Sequence, residues 1–170
     1  METTTLLVAT AQIAVAIAGF AGVVAMFRSE SVHRWGRVER FWLRLLLLNS
    51  ILPLMLSLFG LFSAVVAPIS SSTWRWSSGF AALCLVPYAA MIIRNLAGFA
   101  PGQLKAAGGG RITSYSLVGL LIAVCVMQMW NVATVGAFWP FFAAVVLLIF
   151  GAMFQFVRLV LAPQPSETQS

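Results

Sequence analysis

Residues 112–161 read ITSYSLVGLLIAVCVMQMWNVATVGAFWPFFAAVVLLIFGAMFQFVRLVL, and Arg158 is the one charged side chain among them. A helix rises about 1.5 Å per residue and a hydrocarbon core is about 30 Å thick, so about 20 apolar residues make one crossing. The stretch is too long for one span, and near its middle it carries Asn131, Gly136 and Pro140, residue types that punctuate helices. It therefore predicts two spans, 112–132 and 135–161, folded back on each other as a tight hairpin. A single very long tilted helix, which would leave four spans in all, is the competing arrangement.

Working outward toward the N-terminus, three more segments reach spanning length, at 6–27, 41–67 and 79–97. The fold class that follows is an all-α polytopic membrane helix bundle with five transmembrane helices, occupying residues 1–162 and followed by a flexible polar tail at 163–170 (PQPSETQS). Composition agrees: 61% of the chain is apolar, 8% is charged and the mean hydropathy is +0.98. A soluble domain is about 45–50% apolar and about 25% charged. Such a chain cannot coat a water-facing surface.

The charges that remain are ordered along the chain. The first connection carries Arg28, Arg34, Arg37 and Arg40, with Arg44 just inside the second span; the third is flanked by Arg94 and holds Lys105 and Arg111; Arg158 closes the last span. Only Arg75 falls in the second connection, so nine of the ten basic residues lie on one side of a five-span chain. Lys and Arg are retained on the cytoplasmic side of short loops. The pattern predicts an N-terminus outside the cytoplasm and a C-terminus within it. The first span has no basic residue before it and is longer than the 7–15 apolar residues of a signal peptide, so it is expected to be retained. A bacterial inner (plasma) membrane suits this loop-poor, positive-inside design. The net charge of +6 is accounted for by topology, and no nucleic-acid partner is expected.

Residues 29–44 (SESVHRWGRVERFWLR) form the richest polar segment. Arg34, Arg37, Arg40 and Arg44 recur at helical spacing beside a stripe of Trp35, Val38 and Trp42, a pattern suited to anionic lipid head groups or an acidic partner. An interfacial lipid-modifying enzyme would have to draw on His33, Glu30 and Glu39 in the same segment. His33 is the only histidine, and neither a metal site nor a cofactor is expected. The run 98–111 (GFAPGQLKAAGGGR) has no phosphate-loop spacing and is expected to be a connector.

The cores of the spans hold no Asp, Glu, His, Lys or Arg, which argues against catalysis or proton coupling at depth. Uncharged polar groups remain: Gln12, Asn49, Ser50, Ser57, Tyr88, Gln128 and Gln155. Their default role is to join helices by hydrogen bonds. The alternative is a homo-oligomeric channel lined by Gln12, Asn49 and Gln128. On the first span Ala11, Ala14, Ala18, Gly22 and Ala25 recur every three or four residues and predict a face for close helix packing. Cys84 and Cys125 are expected to be small packing residues, Trp74 and Trp76 interfacial anchors in a loop, and Pro53, Pro87 and Pro140 to kink or begin helices. The function expected from all this is a small non-enzymatic membrane protein that packs with copies of itself or with other membrane subunits, surrounded by lipids, some of them anionic.

Overall fold

A computed structural model describes residues 2–27, 37–67, 71–99 and 111–161. Arg34, His33, Glu30, the glycine run at 108–110, the tail at 163–170 and the side chains of Ala25 and Glu39 lie outside the described set. The described residues are helical almost throughout and contain no strand. The helices are α1 (Thr3–Phe27), α2 (Arg37–Val66), α3 (Ser71–Ala97), α4 (Arg111–Trp130) and α5 (Phe138–Leu161), with a π turn at Asn131–Val135 between the last two. All five are long and apolar enough to cross a bilayer. In hydrocarbon every backbone N–H and C=O has to be satisfied within the segment, and a helix does this locally.

Side-chain bonds between helices fix an up-and-down order. Thr10 and Ser57 hydroxyls meet at 3.0 Å and join α1 to α2. The Tyr88 hydroxyl donates to Asn49 Oδ1 at 2.7 Å and joins α3 to α2. Asn131 Nδ2 donates to Ser78 Oγ at 2.7 Å and Arg75 Nη2 to the Thr134 carbonyl at 3.1 Å, joining α3 to the turn after α4. One end of the bundle therefore gathers Arg37, Arg94 and Arg158, and the other holds Arg75 and the α4–α5 hairpin. Helices α2 and α5 are central, with 50% and 44% of their apolar stretches buried, whereas α4 has 17%.

The tightest helix crossing lies on α2. A Cβ at Gly60 would stand 2.9 Å from Phe141 Cε1 and 3.0 Å from Leu7 Cδ1, so α1, α2 and α5 converge on a bare backbone. On α1 the innermost residues are Leu7, Ala14 and Ala21, while Ala11, Ala18 and Gly22 flank them half-buried. A Cβ at Gly22 would meet nothing within 4 Å, so the expected small-residue face faces its own chain without needing a glycine there.

Helix α3 begins at Ser71, well before the expected span start at 79, because hydropathy records depth in the membrane rather than the end of the helix. Trp74 and Trp76 consequently sit on a helix and point apart. Trp74 is buried edge-on against Phe138 at 4.7 Å; Trp76 is exposed. Pro53 and Pro87 lie inside α2 and α3, and Pro140 falls in the first turn of α5, where a missing N–H costs nothing.

The hairpin is closed by Asn131, which uses its whole amide. Besides its bond to Ser78, Nδ2 donates to the Ala137 carbonyl at 2.9 Å, and Oδ1 accepts from the Ala137 N–H at 3.0 Å. Gly136 caps the π turn with φ 60° and ψ 36°, donating its N–H to the Asn131 carbonyl at 2.9 Å. A Cβ there would come within 2.7 Å of the Ser71 carbonyl oxygen, so conformation and space both demand glycine.

Candidate functional site

The site begins with Asn49 on α2. Pro53 follows four residues later and offers no N–H to the Asn49 carbonyl, which loosens the helix at this level. The Asn49 amide is held by Tyr88 on one side, and on the other its Nδ2 occupies space left by Gly151, whose Cβ would lie 3.2 Å away. Toward the basic end, Gln155 follows Gly151 by one turn of α5, and Trp42 precedes Asn49 by two turns of α2. Gln155 is only 7% exposed, yet its Oε1 meets no donor among the described residues. Trp42 Nε1 is likewise enclosed without an acceptor there. Each enclosed, unpaired polar atom costs about 1–3 kcal/mol, and lipid offers no water to relieve it.

Trp42, Asn49, Tyr88 and Gln155 all line one cavity of about 80 Å³ between α2, α3, α4 and α5. The rest of its wall is hydrocarbon, with Leu45, Ile92, Val118, Leu121 and Leu148 among its members. Leu120 also lines it and is 46% exposed, which brings the cavity to the outer surface of the bundle along α4. A void of this size admits several water-sized groups or a stretch of one hydrocarbon chain, and apolar cavities stay dry.

A row of aromatic rings closes the basic end. Trp42 meets Phe41 edge-on at 5.4 Å, and Phe41 meets Phe99 at 5.4 Å. An arginine stands at each end of the row. The Arg158 guanidinium carbon is 3.9 Å from the Trp42 ring centre, and that of Arg37 is 5.4 Å from the Phe99 ring centre. Such stacking uses the face of a guanidinium, whereas its N–H donors lie in its edge. Phe41 and Trp42 of this row line the cavity, and the two cations flank the row outside that lining.

Of the arginines singled out in the sequence, Arg37 is exposed and stacks on Phe99 at the far end of the aromatic row, whereas Arg40 and Arg44 are exposed elsewhere on α2. Gln12, Asn49 and Gln128 are not brought together within the chain. Gln12 is exposed on α1, Asn49 faces α3 and α5, and Gln128 is buried at the hairpin with Nε2 donating to the Pro140 carbonyl at 2.7 Å. Cys84 and Cys125 are free thiols, half-buried and buried respectively. That Trp42 and Gln155 line one cavity escaped sequence reasoning, although Gly151 four residues before Gln155 and Trp42 seven before Asn49 are spacings that place each pair on one helix face. No protein-family model, curated protein or solved structure matches this chain.

Proposed function

We propose that this chain is a non-enzymatic integral membrane protein that draws one amphiphile from the surrounding bilayer into the cavity between α2, α3, α4 and α5. The observation that carries this reading is a single one. A mostly aliphatic cavity reaches the lipid-facing surface at Leu120 and is lined by Trp42 and Gln155, each of which carries an enclosed polar atom without a partner among the described residues. Hydrocarbon from the adjoining leaflet fills the void, and a polar head group relieves the orphaned atoms. The arginine distribution supports placing the basic end in the cytoplasm, so the amphiphile would come from the inner leaflet.

Native mass spectrometry of the full chain released from a mild detergent tests it. Wild type is expected to retain one lipid per chain, and Leu121→Trp, which fills the cavity from α4, is expected to lose it. Val118→Trp fills the same space independently. Retention of the same lipid by both folded variants would remove the proposal.

A second reading, that the chain packs as a subunit of a homo-oligomer or a larger complex, draws support from the slight burial of α4. Its outer face presents Gly119, where a Cβ would meet nothing within 4 Å, and the exposed Ala123. Small residues at this spacing favour close approach of another helix. The same spectra decide it, since a strictly monomeric particle free of other proteins contradicts it.

A further inference from the structure

Independently of the amphiphile, and deepening the reading that the chain packs with other subunits, we infer that two copies associate in parallel through the outer face of α1, their Gln12 amides bonded across the two-fold axis. Thr5, Ala9, Gln12, Ala16, Gly19 and Val23 follow one another along α1 at alternating steps of four and three, and all six are exposed. Such a 3.5-residue period is the seam of a left-handed helix pair. It lies opposite Leu7, Ala14 and Ala21, the side that α1 buries against α2 and α5.

Gln12 sets this face apart from an ordinary lipid-facing surface. It falls near the middle of the apolar stretch Thr3–Val23, so about 15 Å of hydrocarbon lies to either side, beyond the reach of so short a side chain. Its amide makes no hydrogen bond to another described residue. An N–H₂ group and a carbonyl oxygen are thereby turned toward a solvent that pairs with neither. By contrast, the amides of Asn49, Gln128 and Asn131 are buried and bonded within the chain.

A second copy of this chain carries the matching groups at the matching height. Topology is fixed by the sequence, so every copy crosses the membrane in the same direction, and a closed pair has its two-fold axis along the membrane normal. Two α1 helices meeting on that axis are parallel and set Gln12 opposite Gln12. An amide is donor and acceptor at once, so the pair forms two reciprocal bonds and leaves neither carbonyl orphaned. An unrelated helix would need a polar group of the right kind at the same depth. The neighbours in the seam allow the approach that these bonds require. Ala9 and Ala16 lie a turn to either side of Gln12, and a Cβ at Gly19 would meet nothing of its own chain within 4 Å, which leaves room for a partner backbone. One polar residue in such a seam also fixes its register.

Disulfide trapping of the full chain in lipid vesicles tests the arrangement, in a background of Cys84→Ala and Cys125→Ala. Single cysteines replace Ala9 or Ala16 on the face, Ile13 on another side of α1, or Ala123 on α4; Ile13 is 45% exposed and Ala123 is exposed. Ala9→Cys and Ala16→Cys are expected to give cross-linked dimer, and Ile13→Cys none above the background of random collision. Combined with Ala16→Cys, Gln12→Leu is expected to weaken association about five- to tenfold through the loss of two interhelical bonds, read from the lipid dilution that halves the cross-linked fraction. Gly19→Leu is expected to abolish the cross-link. Both positions face outward, so neither replacement touches the core. Equal trapping at Ile13 and Ala16, or an undiminished cross-link with Gln12→Leu, overturns the assignment. Trapping at Ala123 with none at Ala9 or Ala16 also overturns it, while the subunit reading stands. Trapping at none of the four positions overturns it as well, and a monomeric particle in the native spectra then removes the subunit reading with it.

Discussion

Asn131→Leu is expected to destabilise the protein by about 3 kcal/mol, measured as a shift in unfolding by sodium dodecyl sulfate in mixed micelles. Leucine matches asparagine in size and suits lipid, so hydropathy alone would rank the change as harmless. The hydrogen bonds argue otherwise. Asn131 donates to Ser78 Oγ and to the Ala137 carbonyl and accepts from the Ala137 N–H, all at 3.0 Å or less. Interhelical side-chain bonds within membranes average about 0.6 kcal/mol each, but here the leucine would also strand the Ala137 N–H at a helix start, which costs about 1–3 kcal/mol. The π turn, the αL glycine and the docking of the hairpin on α3 all depend on the same side chain. Ser78→Ala breaks one of the three bonds and is expected to cost under about 1 kcal/mol. An Asn131→Leu variant as stable as wild type would show that the hairpin is held by packing alone.

Gly60→Leu is expected to be comparably damaging for the opposite reason, an excess of atoms. The first added carbon would already stand at 2.9 and 3.2 Å from Phe141 ring atoms and 3.0 Å from Leu7 Cδ1. Neither neighbour has room to yield, because both are fully buried and Phe141 backs onto the buried Trp74 at 6.1 Å. Overpacking of this kind costs about 1–3 kcal/mol for small increments, so leucine is expected to exceed about 3 kcal/mol and to part α1 from α2 and α5. Gly22→Ala is the matched contrast, since nothing lies within 4 Å of its added carbon. It is expected to be neutral or to stabilise by up to about 1 kcal/mol, the helix-propensity difference. The same detergent titration ranks the variants, and equal stability of Gly60→Leu and Gly22→Ala would contradict the crossing at Gly60.

What the sequence made legible was the burial environment of the backbone. Five apolar runs, a hairpin punctuated by Asn131, Gly136 and Pro140, and an inward Ala14 follow from run length and period, which are local quantities. The start of α3 was not legible, because Ser71, Ser72 and Thr73 lower the hydropathy of a segment whose backbone is nonetheless helical. Gly60 gave no signal either. A lone glycine in a run of Leu and Phe looks like tolerated filler, and only the arrival of Phe141 from α5 and Leu7 from α1 makes it indispensable. The site was legible only in fragments. Arg37 was singled out as an anionic-lipid contact and Gln155 as a polar group at depth. That Gln155 and Trp42 are left unpaired in one cavity is a property of four helices meeting, and no single segment encodes it.

A spin-label scan of α4 in lipid vesicles tests the core of this account most directly, since that helix separates the cavity from the bilayer. Single cysteines at Leu120, Val124, Val126 and Gln128, placed in a background lacking Cys84 and Cys125, would each carry a nitroxide, and collisions with oxygen and with a water-soluble nickel chelate would be measured. High oxygen collision rates are expected at Leu120 and Val126, low rates at the buried Val124 and Gln128, and little nickel access at any of the four. Free access of the nickel chelate to Leu120 and Val126, or a profile without helical alternation, would contradict a membrane-embedded α4 whose inner face walls the cavity.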